Sequence, residues 1–297
     1  MFANILGNEK IKESLQNSVK AERISHSYLF IGTDGIGKKM IASEFAKMIL
    51  CLDKNNKYCN NCKSCIEFDT NNNPDFKIIK PDGNSIKIEQ IREIQDKIAE
   101  KPIISNKKAY IIDDADKMTQ EAQNCLLKTL EEPPEYAIII LIGSNETAFL
   151  STIKSRCIIL HFKKIKDEEI AKFIREKYQI EIDNQNLLKA AQGSIGKAIQ
   201  IKEDEEIYSK IDEIISNLEN ADNIDILKMA EIIYKSKDKI NDILEYMNII
   251  FIDIAKKSNK YANCINIVED AKKRLQSNVN FDMCIDNMLL NLWEQVN

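Results

Sequence analysis

At 297 residues, with 44% of them hydrophobic and 30% charged, the chain is long for one domain and ordinary in composition for a globular protein. A net charge of −5 argues against a basic protein that coats nucleic acid, and leaves DNA contact to a local patch or a larger assembly. The start MFANILGNEK lacks the apolar core and cleavage site of a signal peptide, and the longest apolar run, YAIIILIG, is far too short to span a membrane, so a cytoplasmic protein is expected.

In chain order, SYLFIG (27–32) reads as a short buried strand ending in a glycine loop, and KMIASEFAKMIL (39–50) has helical spacing. A Cys-rich insertion with the polar stretch DKNNKYCNNCKSC follows. FKIIKP (76–81) reads as a strand and IKIEQIREIQDKIAEK (86–101) as a helix. KKAYIIDDADKM (107–118) gives a buried strand ending in acids, and EAQNCLLKTLEEPP (121–134) a helix stopped by Pro133-Pro134. AIIILIGSN (137–145) and CIILHF (157–162) read as two further buried strands. Alternating strands and helices imply a parallel sheet covered on both faces. After about residue 166 the strand signals stop, and the pattern is helical to the end, without repeats. The expected layout is an α/β domain over 1–165, a small helical domain over 166–202 and a helical C-terminal domain over 203–297.

The loop GTDGIGKKM fills the phosphate-binding pattern from Gly32 through Gly37 to Lys38, with Gly35 adding freedom inside it. Glycines let the backbone turn its N–H groups toward an anion, and Lys38 adds a point charge for terminal phosphates. The position after Lys38 should be a hydroxyl that reaches magnesium, and here it is Lys39, which cannot ligate a cation. In IIDDADKM, Asp113 ends a strand where a carboxylate positions magnesium in such folds, and Asp114 stands where related ATPases carry a glutamate that orients water. Aspartate is one methylene shorter, so the site is weakened at both metal and base. Its alternative reading is a solvated strand end.

Cys59, Cys62 and Cys65 lie on one tight turn, and Cys51 at the end of the preceding helix can supply a fourth thiol. Four thiolates without a nearby histidine suit a closed, structural Zn²⁺ site. An iron–sulfur cluster also takes four cysteines, and reduced free thiols are the third reading. Cys125, Cys157, Cys264 and Cys284 are scattered and read as small buried hydrophobes. Arg156 lies between Ser155 and Cys157 in a loop before a strand, where a fixed guanidinium could stabilise phosphoryl charge across a subunit boundary or simply form a surface salt bridge. His26 and His161 read as structural, Lys101, Lys107 and Lys108 as a solvated face, and Trp293 as part of a helical core or a subunit contact.

With these segments in place the sequence resembles the clamp-loader AAA+ family of bacterial DNA polymerase III, and its delta-prime-type members most. HSYLFIGTDGIGKK, CNNCKSC, NPDFKIIKPDGNSIKIEQIREI, QNCLLKTLEEPP and the triplet Ser155-Arg156-Cys157 run in family order through about the first 200 residues. The resemblance implies an AAA+ P-loop domain bearing a zinc module at about 51–65, a lid domain and an all-α collar. It implies a subunit of a ring that loads the sliding clamp onto primed DNA, with gamma/tau and delta subunits as partners. Lys39, Asp114 and Gly196 depart from the motor subunits' pattern, each at a position serving ATP hydrolysis in cis, whereas Arg156 is kept. The resemblance therefore implies a subunit that does not hydrolyse ATP and that reaches with Arg156 into a neighbouring gamma/tau site. The alternatives are an active gamma/tau-type ATPase and an unrelated zinc-bearing nucleic-acid-binding protein. ATP binding by the degenerate loop stays open at this level.

Overall fold

Ala137–Gly143 is apolar at every position, and such a strand has to sit inside a sheet with both faces covered. The computed structural model, which describes residues 2, 5–53, 58–277 and 279–297 and omits the side chains at 223 and 227, places it so. The N-terminal positions 1, 3 and 4 and the polar stretch 54–57 of the Cys-rich insertion lie outside the described residues.

The chain divides into two compact units, Met1–Ile165 and Lys166–Asn297. The first holds strands β1 (Ser27–Ile31), β2 (Phe76–Ile79), β3 (Lys108–Ile112), β4 (Ala137–Gly143) and β5 (Ile158–His161). They form one parallel sheet in the order β2-β3-β4-β1-β5. Its helices are α1 (Glu9–Lys20), α2 (Lys38–Leu50), α3 (Lys63–Asp69), α4 (Ile88–Ala99), α5 (Gln120–Glu131) and α6 (Ser151–Lys154).

Because alternate strand residues point to opposite faces, each central strand feeds two cores. Tyr28, Phe30, Ile111, Ile138, Ile140 and Ile142 pack with α1 and α2 on one face. Leu29, Ile112, Ile139 and Leu141 pack with α4 and α5 on the other. Each such Ile or Leu contributes about 1.5–3 kcal/mol relative to exposure.

Two sequence expectations change here, and one element is added. CIILHF, expected to be buried, forms the edge strand β5, where Ile158 is 47% exposed because one flank of the strand has no neighbour. Lys108, expected on a solvated face, is buried, and its ammonium donates to Lys97 O at 2.7 Å. Helix α1 had no counterpart in the sequence reading; it buries Leu15 and Val19, and its N-cap Asn8 accepts from Lys163 N at 2.8 Å, tying it to the chain after β5.

The second unit is helical: α7 (Asp167–Tyr178), α8 (Gln185–Ala190), α9 (Ile195–Glu203), α10 (Glu205–Asn217), α11 (Asn223–Tyr234), α12 (Ile240–Ala255), α13 (Cys264–Leu275) and α14 (Phe281–Val296). Tyr246, Met247, Phe251, Ile285 and Leu289 are buried in it. The Tyr246 hydroxyl bonds Asp212 at 2.9 Å, and burial raises the Asp212 carboxyl above the ordinary range although Tyr246 and Asn184 work against the shift. Trp293 stays inside this unit, with its indole N–H on Ala221 O at 2.8 Å. No helix among the described residues is long and apolar enough to cross a membrane.

Candidate nucleotide loop, metal centre and arginine segment

The loop between β1 and α2 is built as its glycines require. A Cβ on Gly32 would lie 2.6 Å from Ile36 Cδ1 and 2.9 Å from Phe162 Cβ, so only glycine fits. Gly35 and Gly37 have φ of +74° and +89°, a region that side chains disfavour. Lys38 is buried, and its ammonium donates to Gly32 O at 2.5 Å and Thr33 O at 2.8 Å.

Lys39, one residue on, reaches across to the end of β3 and places its ammonium 2.7 Å from Asp113 Oδ2. Asp113 is itself fixed by its backbone N–H to Ile79 O at 2.9 Å. Magnesium demands oxygen ligands at about 2.0–2.1 Å in an octahedron, and it cannot share that carboxylate face with an ammonium at hydrogen-bond distance. In this arrangement the Asp113 carboxylate faces the Lys39 ammonium, and no hydroxyl follows Lys38 to ligate a magnesium ion. Asp114 is turned away in a left-handed conformation, φ +51°, and accepts from Lys117 Nζ at 2.8 Å. That hydrogen bond holds the Lys117 ammonium above the usual lysine range. Asp113 and Asp114, adjacent in sequence, are thus each paired with a lysine of the chain itself.

At the other end of α2, Cys51, Cys59, Cys62 and Cys65 bring four sulfurs within 4.8 Å of one another. Cys59 Sγ lies 3.5 Å from Cys51 Sγ and 4.0 Å from Cys65 Sγ, against about 3.8 Å for the edge of a tetrahedron with metal–sulfur bonds of 2.3 Å. The cluster can hold a metal ion. Burial pushes the Cys51 and Cys65 thiols up. At Cys62 burial also opposes ionisation, but hydrogen bonds from the backbone of Leu52 and Cys65 and from neighbouring thiols outweigh it and bring the thiol down to about 7. The turn is bolted on from outside. Lys47 grips Asp69 at 2.7 and 2.8 Å, and Asn73 donates to Ser64 O at 2.9 Å. Ser64 also bonds Ser105 at 2.8 Å, joining α3 to the segment before β3.

This combination of parallel sheet, glycine loop and Cys₄ turn has relatives. The sequence family described as DNA polymerase III, delta subunit, matches residues 7–166. The chain belongs to this family of clamp-loader subunits. It is 29% identical to DNA polymerase III subunit delta' of Bacillus subtilis, over 96% of each chain. It is also 35% identical to DNA polymerase III subunit tau/gamma of Haemophilus influenzae, over 67% of this chain and 30% of that one. Among solved structures, a gamma subunit-related protein of Thermotoga maritima shares the fold, with a TM-score of 0.60 and 19% identity over 97% of this chain and 99% of that one.

In this clamp-loader subunit Arg156 lies just beyond α6, on the exposed surface, with its side chain 32% accessible. Its Nη2 sits 2.7 Å from Glu131 Oε1, at the C-terminus of α5, and its Nη1 donates to Thr152 O at 2.8 Å. Ser155 donates to Thr152 O at 3.1 Å. Burial pushes the Cys157 thiol up to about 12, which suits a packing residue and not a nucleophile. Of the other scattered cysteines, Cys264 and Cys284 are buried, whereas Cys125 is half-exposed and donates to Gln95 Oε1 at 3.2 Å. His26 bonds Ala137 O at 3.1 Å, and His161 pairs with Glu146 at 2.8 Å on the surface. Gly196 sits in the first turn of α9, where an added Cβ would meet only Ser194 Oγ, at 4.0 Å, so packing does not dictate glycine there.

The structure brings Gly32, Gly35, Gly37, Lys38, Lys39 and Asp113 together as one site and the four cysteines as a second. Arg156 with Ser155 and Cys157 forms a third. Two organising residues had no signal as such in the sequence. Asp116 Oδ2 accepts from Ser144 N, Ser144 Oγ and Asn145 N at 2.9–3.1 Å, pinning the end of β4. Gln123, buried in α5, accepts from Leu150 N at 2.9 Å and donates to Ala148 O at 2.9 Å, fixing the entry to α6.

Proposed function

We propose that the protein is a delta-prime-type subunit of the DNA polymerase III clamp loader that helps load the sliding clamp onto primed DNA without hydrolysing ATP itself. The observation that carries this reading is the Lys39–Asp113 ion pair, which puts a side-chain ammonium where a hydrolytic P-loop holds its metal. The Lys117 contact to Asp114 supports it, because the shorter acid at the base position is turned away and paired. In this reading Gly32, Gly35, Gly37, Lys38 and Asp113 form a nucleotide site that has lost its hydrolytic parts. Arg156 acts as an arginine finger, stabilising phosphoryl charge in the site of a neighbouring gamma/tau subunit.

The metal is Zn²⁺, held by Cys51, Cys59, Cys62 and Cys65 and structural in role, since four protein sulfurs leave no open position for a substrate. Residues 166–202 act as the lid, and 203–297 as the collar that packs against gamma/tau and delta partners in a cytoplasmic ring. The test is reconstitution with motor subunits. The isolated chain is expected to show negligible ATP turnover, and Arg156→Ala to lower hydrolysis at the neighbouring site, where such fingers are worth about 10³–10⁵ in rate. Turnover by the isolated chain at motor-subunit rates would sink the reading.

A further inference from the structure

A finger works only if its guanidinium arrives in one geometry, since a misplacement of about 1 Å can cost about 10²-fold in rate. Arginine has a long, rotamer-rich side chain, and something must hold it. From the contacts around Arg156 we infer that Glu131 is a positioning residue for the finger, so that α5 acts as a rail for the whole arginine segment. This rests on the proposed role of Arg156.

The helix grips that segment at two points. Near its start, Gln123 accepts from Leu150 N and donates to Ala148 O, both at 2.9 Å, fixing the backbone that enters α6. Two turns further along, Glu131 takes Nη2 of Arg156 at 2.7 Å. The Thr152 carbonyl takes Nη1 at 2.8 Å, and the Ser155 hydroxyl lies 3.4 Å from the same nitrogen. A guanidinium has five donors in a planar fork. Bonds to Glu131 and Thr152 fix the plane and direction of the fork while leaving other donors for an incoming phosphate. The run QNCLLKTLEEPP thereby has a physical reading. Gln123 opens it, Glu131 closes it, and Pro133-Pro134 ends the helix just after the carboxylate. Between them Leu126 and Leu130 anchor α5 in the sheet core, so the rail does not shift. Thr119 accepts from Ala122 N at 3.2 Å and caps the other end.

Glu131 is the residue to change, because Gln123 is buried and its loss could unfold the segment, whereas the Glu131 side chain is 49% exposed. Rings reconstituted with wild type, Glu131→Ala, Glu131→Gln, Arg156→Ala and Glu131→Ala/Arg156→Ala would be compared for kcat and KM of ATP hydrolysis. The expected result is a kcat about tenfold lower at the neighbouring site for Glu131→Ala with KM unchanged. Glu131→Gln, which keeps an acceptor at the same length, should fall between it and wild type. In the Arg156→Ala background Glu131→Ala should have no further effect. An unchanged or raised kcat for Glu131→Ala, or an equal loss in both backgrounds, would overturn the inference while leaving the finger intact. If Arg156→Ala itself has no effect, the finger reading fails first, and this one with it.

Discussion

The two ends of α2 handle charge in opposite ways. At its N-terminus lies the glycine loop, and the nearby charges are settled within the chain: Lys38 folds onto the loop carbonyls and Lys39 pairs with Asp113. Beyond its C-terminus four sulfurs converge, two of them pushed toward the protonated thiol by burial. Four thiolates in so small a volume require a cation from outside. One end pairs its acid with a lysine of the chain itself, and the other gathers four sulfurs that can hold a metal ion. At the loop a single side chain can supply the charge that faces one carboxylate. At the cysteines no single side chain could satisfy four ligands.

Breaking the cysteine end has the largest expected effect. Cys65→Ser, or chelation of the wild type, should drop the zinc content well below one ion per chain. Since structural zinc binding is coupled to folding, loss of several kcal/mol should lower the melting temperature by about 10 °C or more. Elemental analysis and thermal unfolding would check this, and a melting temperature unmoved by chelation would remove the contrast.

Lys39→Thr should convert the self-neutralised end into a metal-dependent one. Asp113 would be freed, a hydroxyl would stand at the magnesium position, and ATP affinity should rise about tenfold or more on adding Mg²⁺. Equal affinity with Mg²⁺ and with chelator would mean that Lys39 is not what excludes the metal.

A smaller effect is expected at Gly196, also a departure from the motor pattern. Gly196→Arg replaces an exposed helical glycine whose added Cβ would meet only Ser194 Oγ at 4.0 Å, and glycine there costs up to about 1 kcal/mol, so stability should be unchanged or higher by about 0.5 kcal/mol. Denaturant unfolding would show it, and a clear loss would mean that packing demands glycine there.

Least of all, the raised Cys157 thiol should stay protonated until the pH nears 12, so alkylation at pH 8.5 should be much slower than for a free thiol. The sign agrees with burial. The folded-state pKa lies above the unfolded one, so the favourable contribution of the buried thiol is present at neutral pH and fades as pH rises toward about 12. Mass spectrometry of iodoacetamide-treated protein would report it.

Local spacing made much of this legible. Gly32 to Lys38, between a strand and a helix, announces its own geometry, and three cysteines on a turn after a helix ending in Cys51 announce a fourth ligand. Contacts that depend on which elements become neighbours were not legible. Lys39 was visible as a wrong residue, but its partner Asp113 lies just after β3, and the pairing follows only from α2 starting beside the end of β3. Glu131 and Arg156 each sat in a quoted motif, but their meeting depends on α5 packing beside α6. The edge position of β5 could not be read from CIILHF, because an apolar run looks the same at the centre of a sheet and at its rim.

On the proposed reading the Lys39 ammonium stands in the place of a divalent ion. Titration of ATP into the wild-type chain, once with Mg²⁺ and once with EDTA, tests that claim most directly. Mg²⁺ is expected to leave the isotherm unchanged, whatever its depth. An affinity that rises about tenfold or more with Mg²⁺ would contradict it, because the metal would then have displaced Lys39 from Asp113.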